Sequence, residues 1–464
     1  MRRAVPFLSL TAASFALAAA LTASARADAA GVTARSANAQ SAKVEEPGNY
    51  VGPGSCSAVA CHGAVRPAGG ARILQTEYST WIARDRHARA TEVLSSPVSL
   101  RMAKMLDLGA PQQAAKCLAC HALDVPASAR ARTFATEGVS CEACHGPATG
   151  WLGYHVTKDA THEESVRRGM YDTKDVVKRT EKCLTCHLGT AEKSVDHEMI
   201  AAGHPDLVFE LEAFSAAMPR HWREADPRSP TPDPRSPTPD PSAPVRTFAV
   251  GQLVHFRASL DRLARRVKGP VWPEYAELDC FACHHSLTRP EDSWRQAQGY
   301  DNRARPGLPP LQVARYLTAR RVVAAWDAPS ASELDGIMGK LQIEASRLSA
   351  RPENVASLAE SARAIADKAI VRALTAPATP AIADTILRGI FTDAAAIAAR
   401  GERAAEQAAM AAEVLAGALA RARNQDPAAL TPAFTELFKQ FEAPSAYDPS
   451  RFVAAMKKAE AAIR

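Results

Sequence analysis

The residues after 310 repeat hydrophobic side chains with the period of an α-helix. One stripe comprises Leu334, Met338, Leu341, Ala345 and Leu348, and a second comprises Leu358, Ala362, Ile365 and Ala369. Positions three or four residues apart share one face of a helix, so each stripe predicts an amphipathic helix. Prolines divide this region into about six helices; they are Pro329, Pro352, Pro377, Pro380, Pro427 and Pro444. Alanine-rich faces allow close packing, which favours an antiparallel α-helical bundle over residues 301–464.

The first 27 residues show the pattern of a secretory signal peptide. Arg2 and Arg3 precede an apolar, alanine-rich run that ends in the small-residue sequence Ala25-Arg26-Ala27. An uncleaved membrane anchor is the alternative, but the run is short and weakly hydrophobic for a span. We therefore expect export to the periplasm and no transmembrane anchor after cleavage. Residues 28–47 are small and polar, and they predict a disordered lead-in.

Residues 48–300 contain fewer regular patterns. The stretch from Thr76 to Ser95 predicts a helix that carries His87 and Leu94 on one face, and a second helix signal ends at Gly109. Between residues 223 and 246, the seven residues Pro227–Asp233 are repeated as Pro234–Asp240. Such proline density cannot pack as helix or sheet, so we expect an exposed inserted loop. A partner-binding role and neutral expansion of a tolerated loop both remain open.

Cysteine and histidine are confined to this middle region. All ten cysteines and all thirteen histidines lie between Cys56 and His285. The cysteines form five pairs, and a histidine directly follows the second cysteine of each pair. We number these units site 1 (Cys56, Cys61, His62), site 2 (Cys117, Cys120, His121), site 3 (Cys141, Cys144, His145), site 4 (Cys183, Cys186, His187) and site 5 (Cys280, Cys283, His284).

The pattern of sites 2 to 5 is CxxCH, the attachment signature of a c-type haem. Two thiols add to the two vinyl groups on one porphyrin edge, and the next imidazole ligates the iron. Zinc sites and redox disulfides also use CxxC, but neither requires a histidine after every pair. Site 1 has four residues between its cysteines, so its loop must bulge to keep the same register. The sequence thus predicts five covalently attached haem c groups.

Four longer motifs resemble those of the multihaem cytochrome c554-type family. They are HARA from His87, EGVSCEACHGPA from Glu137, AAGHPDLVFEL from Ala201 and ELDCFACHHSL from Glu277. The resemblance extends over Pro53 to Trp294, with a more distant similarity to the hydroxylamine oxidoreductase and pentahaem nitrite reductase group. A mainly α fold follows, in which helices and loops with little regular secondary structure surround the porphyrins over residues 48–300. The α-helical bundle then forms a haem-free domain over residues 301–464.

The resemblance also implies that histidines outside the five sites bind the iron atoms as distal ligands. Eight such histidines are present, and five irons need at most five of them. His87, His155 and His204 match family motifs and are the first candidates. His197, His221 and His285 are the second candidates, against surface or propionate-bonding roles. His162, in a charged run, and His255, in a helix-like stretch, are expected to be non-ligands.

Charge and motif content narrow the function. The formal charge of +6 becomes +3 when Arg2, Arg3 and Arg26 leave with the signal peptide, and no basic stripe is present. Nucleic acid is therefore not an expected partner. An electron-transfer protein between redox partners is favoured, because the CxxCK unit of pentahaem nitrite reductases is absent. The alternative is an oxidoreductase in which one open iron acts on a small nitrogen or sulfur compound. The sequence identifies neither the donor nor the acceptor.

The five sites lead to a stoichiometric prediction. We expect five covalent haems per chain, measured by intact mass and by the pyridine haemochrome assay. A count of four would show that the wider site 1 does not attach haem.

Overall fold

The computed structural model describes residues 48–67, 73–222, 242–284, 309–347, 349–443 and 446–463. Almost all of the regular secondary structure in these residues is helical. The signal peptide, the lead-in, the proline-rich repeat and His285 lie outside these residues. The first nine α-helices are α1 Glu77–Arg84, α2 Pro97–Met105, α3 Ala115–His121, α4 Cys141–His145, α5 Leu152–His155, α6 His162–Arg167, α7 Val176–His187, α8 His197–Ala201 and α9 Leu211–Ala217. The others are α10 Ala243–Arg266, α11 Ala314–Trp326, α12 Ala328–Ala345, α13 Pro352–Thr375, α14 Pro380–Thr392, α15 Ala394–Ala398, α16 Glu402–Ala422, α17 Thr431–Phe438 and α18 Pro449–Ile463.

The mainly α fold class is confirmed. The described residues contain no β-strand, and their only sheet-like pairings are two isolated bridges, Tyr50 with Arg130 and Leu278 with Leu311. None of their helices is long and apolar enough to cross a membrane.

Helices α10 to α18 enclose the main hydrophobic core. Phe248 and Phe256 of α10 are almost fully buried in it, together with Leu334 of α12, Ile386 of α14 and Leu415 of α16. Helix α10 packs along α13, so a helix that precedes residue 301 shares the core of the C-terminal helices. It begins at Ala243, inside the range expected for the proline-rich loop. The predicted domain boundaries stay a prediction.

The helical bundle has more breaks than its prolines predict. The stretch between Pro380 and Pro427 forms three helices, because it is interrupted at Asp393 and again before Glu402. The Asp393 carboxylate accepts hydrogen bonds from Nε and Nη2 of Arg321 in α11, and these bonds fix the first break. At the second break, Gly401 has φ of +85°, a conformation that other residues rarely adopt.

The helix expected over Thr76–Ser95 is shorter than predicted. Helix α1 ends at Arg84, and two single 3-10 turns follow, Arg86–Arg89 and Glu92–Ser95. Asp85 has extended backbone, and its carboxylate accepts the His87 backbone N–H. This local bond satisfies the backbone in place of a continued helix. It also places His87 on a turn instead of on a helical face.

The region around α1 to α9 has little apolar core of its own. A second buried cluster comprises Val51, Ala148 and Trp151, with few residues packed against it. Short helices and loops here surround a large internal space.

Candidate haem-binding site

Four of the five predicted attachment sites line a single cavity. Its volume is about 3870 Å³, and all the cysteines and proximal histidines of sites 1 to 4 line it. A site for one small ligand occupies roughly 300–1,000 Å³, so this space accommodates several large cofactors. Cys280, Cys283 and His284 of site 5 are not among the described residues that line it. The polypeptide thus leaves room where sites 1 to 4 need porphyrins.

The helices present sites 2, 3 and 4 in the same way. Each motif occupies the last turns of a helix, which ends at the motif histidine, namely His121 of α3, His145 of α4 and His187 of α7. Residues at positions i, i+3 and i+4 of a helix share one face. Both thiols and the imidazole of each CxxCH therefore point to the same side, as one porphyrin requires.

Three proximal histidines face a distant histidine across the cavity. The ring centroids of His62 and His155 are 6.3 Å apart. Those of His187 and His87 are 6.2 Å apart. Those of His121 and His204 are 6.3 Å apart. Sites 1, 4 and 2 each have one of the three first-candidate histidines opposite them.

These separations match an iron held between two imidazoles. A bound metal lies about 2.0 Å from an imidazole nitrogen, and the ring centre is ~1.1 Å further away. Two coaxial imidazoles on one metal then have centroids ~6.2 Å apart. The centroid separations of the three pairs are therefore those that a shared iron requires.

Burial keeps two of the proximal imidazoles neutral, the form that binds iron. Burial lowers the pKa of His187 to about 4, with a smaller contribution from His87. Burial also lowers the pKa of His145 to about 4, and His221 contributes most among the neighbouring histidines. Both rings are available as ligands over the physiological pH range.

In five of the six paired histidines, Nδ1 has one of two kinds of hydrogen-bond partner. Carboxylates bond two of them, since His62 Nδ1 lies 3.0 Å from Glu77 Oε2 and His87 Nδ1 lies 2.9 Å from Asp85 Oδ1. Backbone carbonyl oxygens are the Nδ1 partners of three other histidines. The carbonyl of Ala90 bonds to His121, that of Leu152 to His155 and that of Pro205 to His204. Each of these five bonds occupies Nδ1 and leaves Nε2 free to bind a metal. Sites 1 and 4 thus each have one carboxylate-bonded ligand, whereas site 2 has none.

Contacts between thiols show which attachment sites are neighbours. The thiols of Cys56 in site 1 and Cys141 in site 3 lie close enough for each to shift the pKa of the other. The same holds for Cys120 of site 2 and Cys186 of site 4. Cys144 of site 3 lies close enough to the site 4 thiols for their charges to raise its pKa further, although burial is the larger cause. The sites therefore follow one another in the spatial order 1, 3, 4, 2.

Two residues beside site 3 connect it to the neighbouring segments. Glu142 is buried, and its carboxylate accepts the backbone N–H groups of Val51, Gly52 and Ala148. This fixes site 3 against the segment that leads into site 1. Gly138 has φ of +46°, and a Cβ there would lie 2.6 Å from the His87 carbonyl oxygen. Only glycine allows the site 3 segment to approach His87 so closely.

The remaining histidines have varied surroundings. His162 and His221 line the cavity, and His162 Nε2 lies 2.8 Å from Asp172. His197 also lines the cavity and packs against Tyr275. His255 is buried on α10, where its Nε2 accepts a hydrogen bond from Arg315 at 2.7 Å. The ligand roles of all six candidate distal histidines stay predictions, and His285 lies outside the described residues.

Sequence reasoning did not find the side chains that orient the paired histidines. Asp85 is two residues from His87, so the spacing D-x-H could have indicated it. Glu77 and the aromatic rings of Phe209 and Phe214, which pack on His187, carry no comparable local signal. They reach their histidines only through the tertiary fold.

Glu77 provides a prediction about the iron bound at site 1. The hydrogen bond from His62 to the Glu77 carboxylate increases the electron density on the imidazole. His62 then binds iron more strongly and stabilises the ferric state of an iron at site 1. In Glu77→Gln the amide oxygen still orients the ring, but the charge is lost. We expect one midpoint potential to rise, by about 1 kcal/mol or roughly 40 mV, in spectroelectrochemical titration.

The matched control for this change is Glu333→Gln, an exposed substitution on α12 outside the cavity lining. It is expected to move no potential. Equal potentials in wild type and Glu77→Gln would show that Glu77 does not tune the site 1 iron.

Comparison with known proteins bears on the first three sites. Residues 55–146 match the family model of cytochrome c554 and c-prime, a range that contains sites 1, 2 and 3 together with His87. No curated protein and no solved structure matches the chain. The match does not extend to the more distant group that contains hydroxylamine oxidoreductase. The match to residues 55–146, together with a large cavity that the matched cysteines and histidines line, supports a cytochrome c554-like c-type cytochrome that carries covalently bound haem.

Proposed function

We propose that the chain is an exported pentahaem cytochrome that passes electrons between two redox partners. Haem c attaches at all five sites, and the irons at sites 1, 2 and 4 are bound by the pairs His62 with His155, His121 with His204, and His187 with His87. When bound, haem supplies an iron that accepts and releases one electron as it changes between the ferric and ferrous states.

The three facing histidine pairs carry this proposal. An iron with imidazoles on both faces has no free position for a substrate, and it is suited to electron transfer. The Nδ1 hydrogen bonds of the paired rings hold them in place, so little reorganisation accompanies a change of oxidation state. The large cavity and the matched family support the same function.

The spatial order of the sites suggests a route through the protein. Thiol contacts join sites 1 and 3 and sites 4 and 2, and Cys144 lies near the site 4 thiols. With haem bound at these sites, the neighbouring cysteines would hold the porphyrins close to one another, so that electrons could pass directly between them. Sites 1 and 2 then lie at opposite ends of the four-site order.

Export and partners follow from the N-terminal pattern and the cofactor. The signal-peptide pattern over residues 1–27 supports delivery to the periplasm, where we expect attachment to occur. The partners are redox proteins, a donor and an acceptor that differ in potential.

His87 provides the test of bis-histidine ligation. In His87→Ala, the site 4 iron loses its distal imidazole and is expected to change from low spin to high spin. We expect a high-spin signal corresponding to one iron in five in the electron paramagnetic resonance spectrum of the ferric protein.

His162→Ala is the matched control, because His162 lines the same cavity and its Nε2 is bonded to Asp172. It is expected to leave all spin states unchanged. An unaltered spectrum in fully haem-loaded His87→Ala protein would remove His87 from the ligand set.

One observation favours the second candidate function, an oxidoreductase with an open iron. Among the described residues, no imidazole faces His145 of site 3 at the separation of the three pairs. His221 is its most influential histidine neighbour, and both line the cavity. Site 3 is therefore where a substrate such as a small nitrogen or sulfur compound would bind.

The wild-type spectrum separates the two functions. A carrier with His221 on the site 3 iron gives no high-spin signal from site 3, and His221→Ala then creates one. An enzyme gives a high-spin signal in wild type that responds to small ligands such as cyanide and is unchanged by His221→Ala.

A further inference from the structure

Arg403 connects the helical bundle to two separate parts of the haem-binding region. It lies in the first turn of α16, and its side chain is buried. Its Nη1 donates to the Ala276 carbonyl at 3.2 Å, and its Nη2 lies 3.7 Å from Cys280 Sγ. Its Nε forms an ion pair with Asp206. One guanidinium thus contacts both a cysteine of site 5 and a loop outside site 5.

The first contact fixes the segment that leads into site 5. Glu277 in this segment is buried and is bound by Arg262 and Arg266 of α10. Arg403 holds the preceding carbonyl of Ala276 and the following sulfur of Cys280 from the opposite helix. In the loaded protein this sulfur is a thioether, which remains a weak acceptor. Site 5 is therefore anchored between α10 and α16.

The second contact leads to site 2. Asp206 is two residues beyond His204, and His204 faces His121 at 6.3 Å. The carbonyl of the intervening Pro205 accepts the His204 Nδ1 hydrogen bond. The loop that orients this distal ligand is therefore bound by the same guanidinium as site 5.

We infer that Arg403 is a positioning residue that joins site 5 to site 2 and raises the reduction potentials of the irons bound at both. This inference rests on the proposed function, because it requires haem at site 5. It extends the spatial order to 1, 3, 4, 2, 5. It also gives the haem-free bundle a role, since its helix α16 supplies the connecting charge.

The sign of the effect follows from the charge. Burial lowers the pKa of Arg403 to about 10, so the side chain stays protonated at neutral pH. A buried positive charge disfavours the ferric state of a nearby iron and so raises its potential. The opposing charge of Asp206 is partly exposed, and water screens it more strongly. Asp206 pairs with this guanidinium, so loss of its charge would leave the positive charge of Arg403 uncompensated beside both sites.

The test uses the full-length holoprotein and four single variants. Arg403→Gln removes the charge, Arg403→Lys retains it without the forked geometry, and Asp206→Asn removes the partner charge. Arg321→Gln is the matched control, because Arg321 is a bundle arginine that pairs with Asp393 away from site 5. Intact mass gives the haem count, and spectroelectrochemical titration gives the midpoint potentials. The double variant Cys280→Ala with Cys283→Ala, which lacks the site 5 haem, assigns the site 5 potential.

We expect Arg403→Gln to lower two of the five potentials, one of which is missing from the four-haem variant. Arg403→Lys should retain both near wild type. Asp206→Asn should raise the same two potentials, because it leaves the Arg403 charge unpaired, and Arg321→Gln should move none. If Arg403→Gln is not produced, Asp206→Asn alone decides, and an unmoved site 2 potential overturns the inference.

Other outcomes distinguish a failure of this inference from a failure of the proposed function. Five unmoved potentials in Arg403→Gln, a single moved potential, or shifts equal to those of Arg321→Gln would overturn the role of Arg403 while the pentahaem proposal stands. A wild-type mass with no haem at site 5 would instead overturn the pentahaem proposal.

Discussion

An iron between two imidazoles fixes the distance and the axis between two histidine rings, and the haem-binding half of this chain depends on that constraint. Three histidine pairs meet it at centroid separations of 6.2–6.3 Å. In each pair one ring follows a cysteine on the same short segment, and the other comes from a distant part of the chain. In five of the six rings, the Nδ1–H group donates a hydrogen bond to a carboxylate or carbonyl oxygen, which sets the ring orientation. The surrounding loops are shaped by these demands more than by regular packing.

The same residues that position the ligands also make the sites unequal. Site 1 has Glu77 behind its proximal ligand and site 4 has Asp85 behind its distal ligand, whereas both ligands of site 2 face carbonyls. Arg403 contributes a positive charge beside site 2 and site 5. Negative charge behind a ligand favours the ferric state, and positive charge disfavours it. A chain that repeats the same kind of attachment unit therefore has the means to hold bound irons at different potentials.

Local chemistry was predictable from the sequence, and long-range pairing was not. The CxxCH spacing indicates attachment because three reactive groups lie within five residues, and proline positions predicted most of the bundle helices. The break at Asp393 depends on Arg321 from another helix, so no local pattern predicts it. The shortening of α1 at Asp85 reflects a side-chain bond that competes with the helix. The assignment of His155 to site 1, His87 to site 4 and His204 to site 2 requires the tertiary fold, because sequence order gives no indication of it.

The cavity has a consequence for how this protein reaches its native state. The three histidine pairs join residues 93, 100 and 83 positions apart, and the apolar cluster near them is small. Without porphyrins, the walls of a cavity of about 3870 Å³ have no interior to pack against. On the proposed ligation, iron binding would close three long loops, and the bound metal would offset the entropy that the chain loses. The helices around α10 have a hydrophobic core that needs no cofactor, whereas the proposal makes folding of the cytochrome region depend on attachment of its haems.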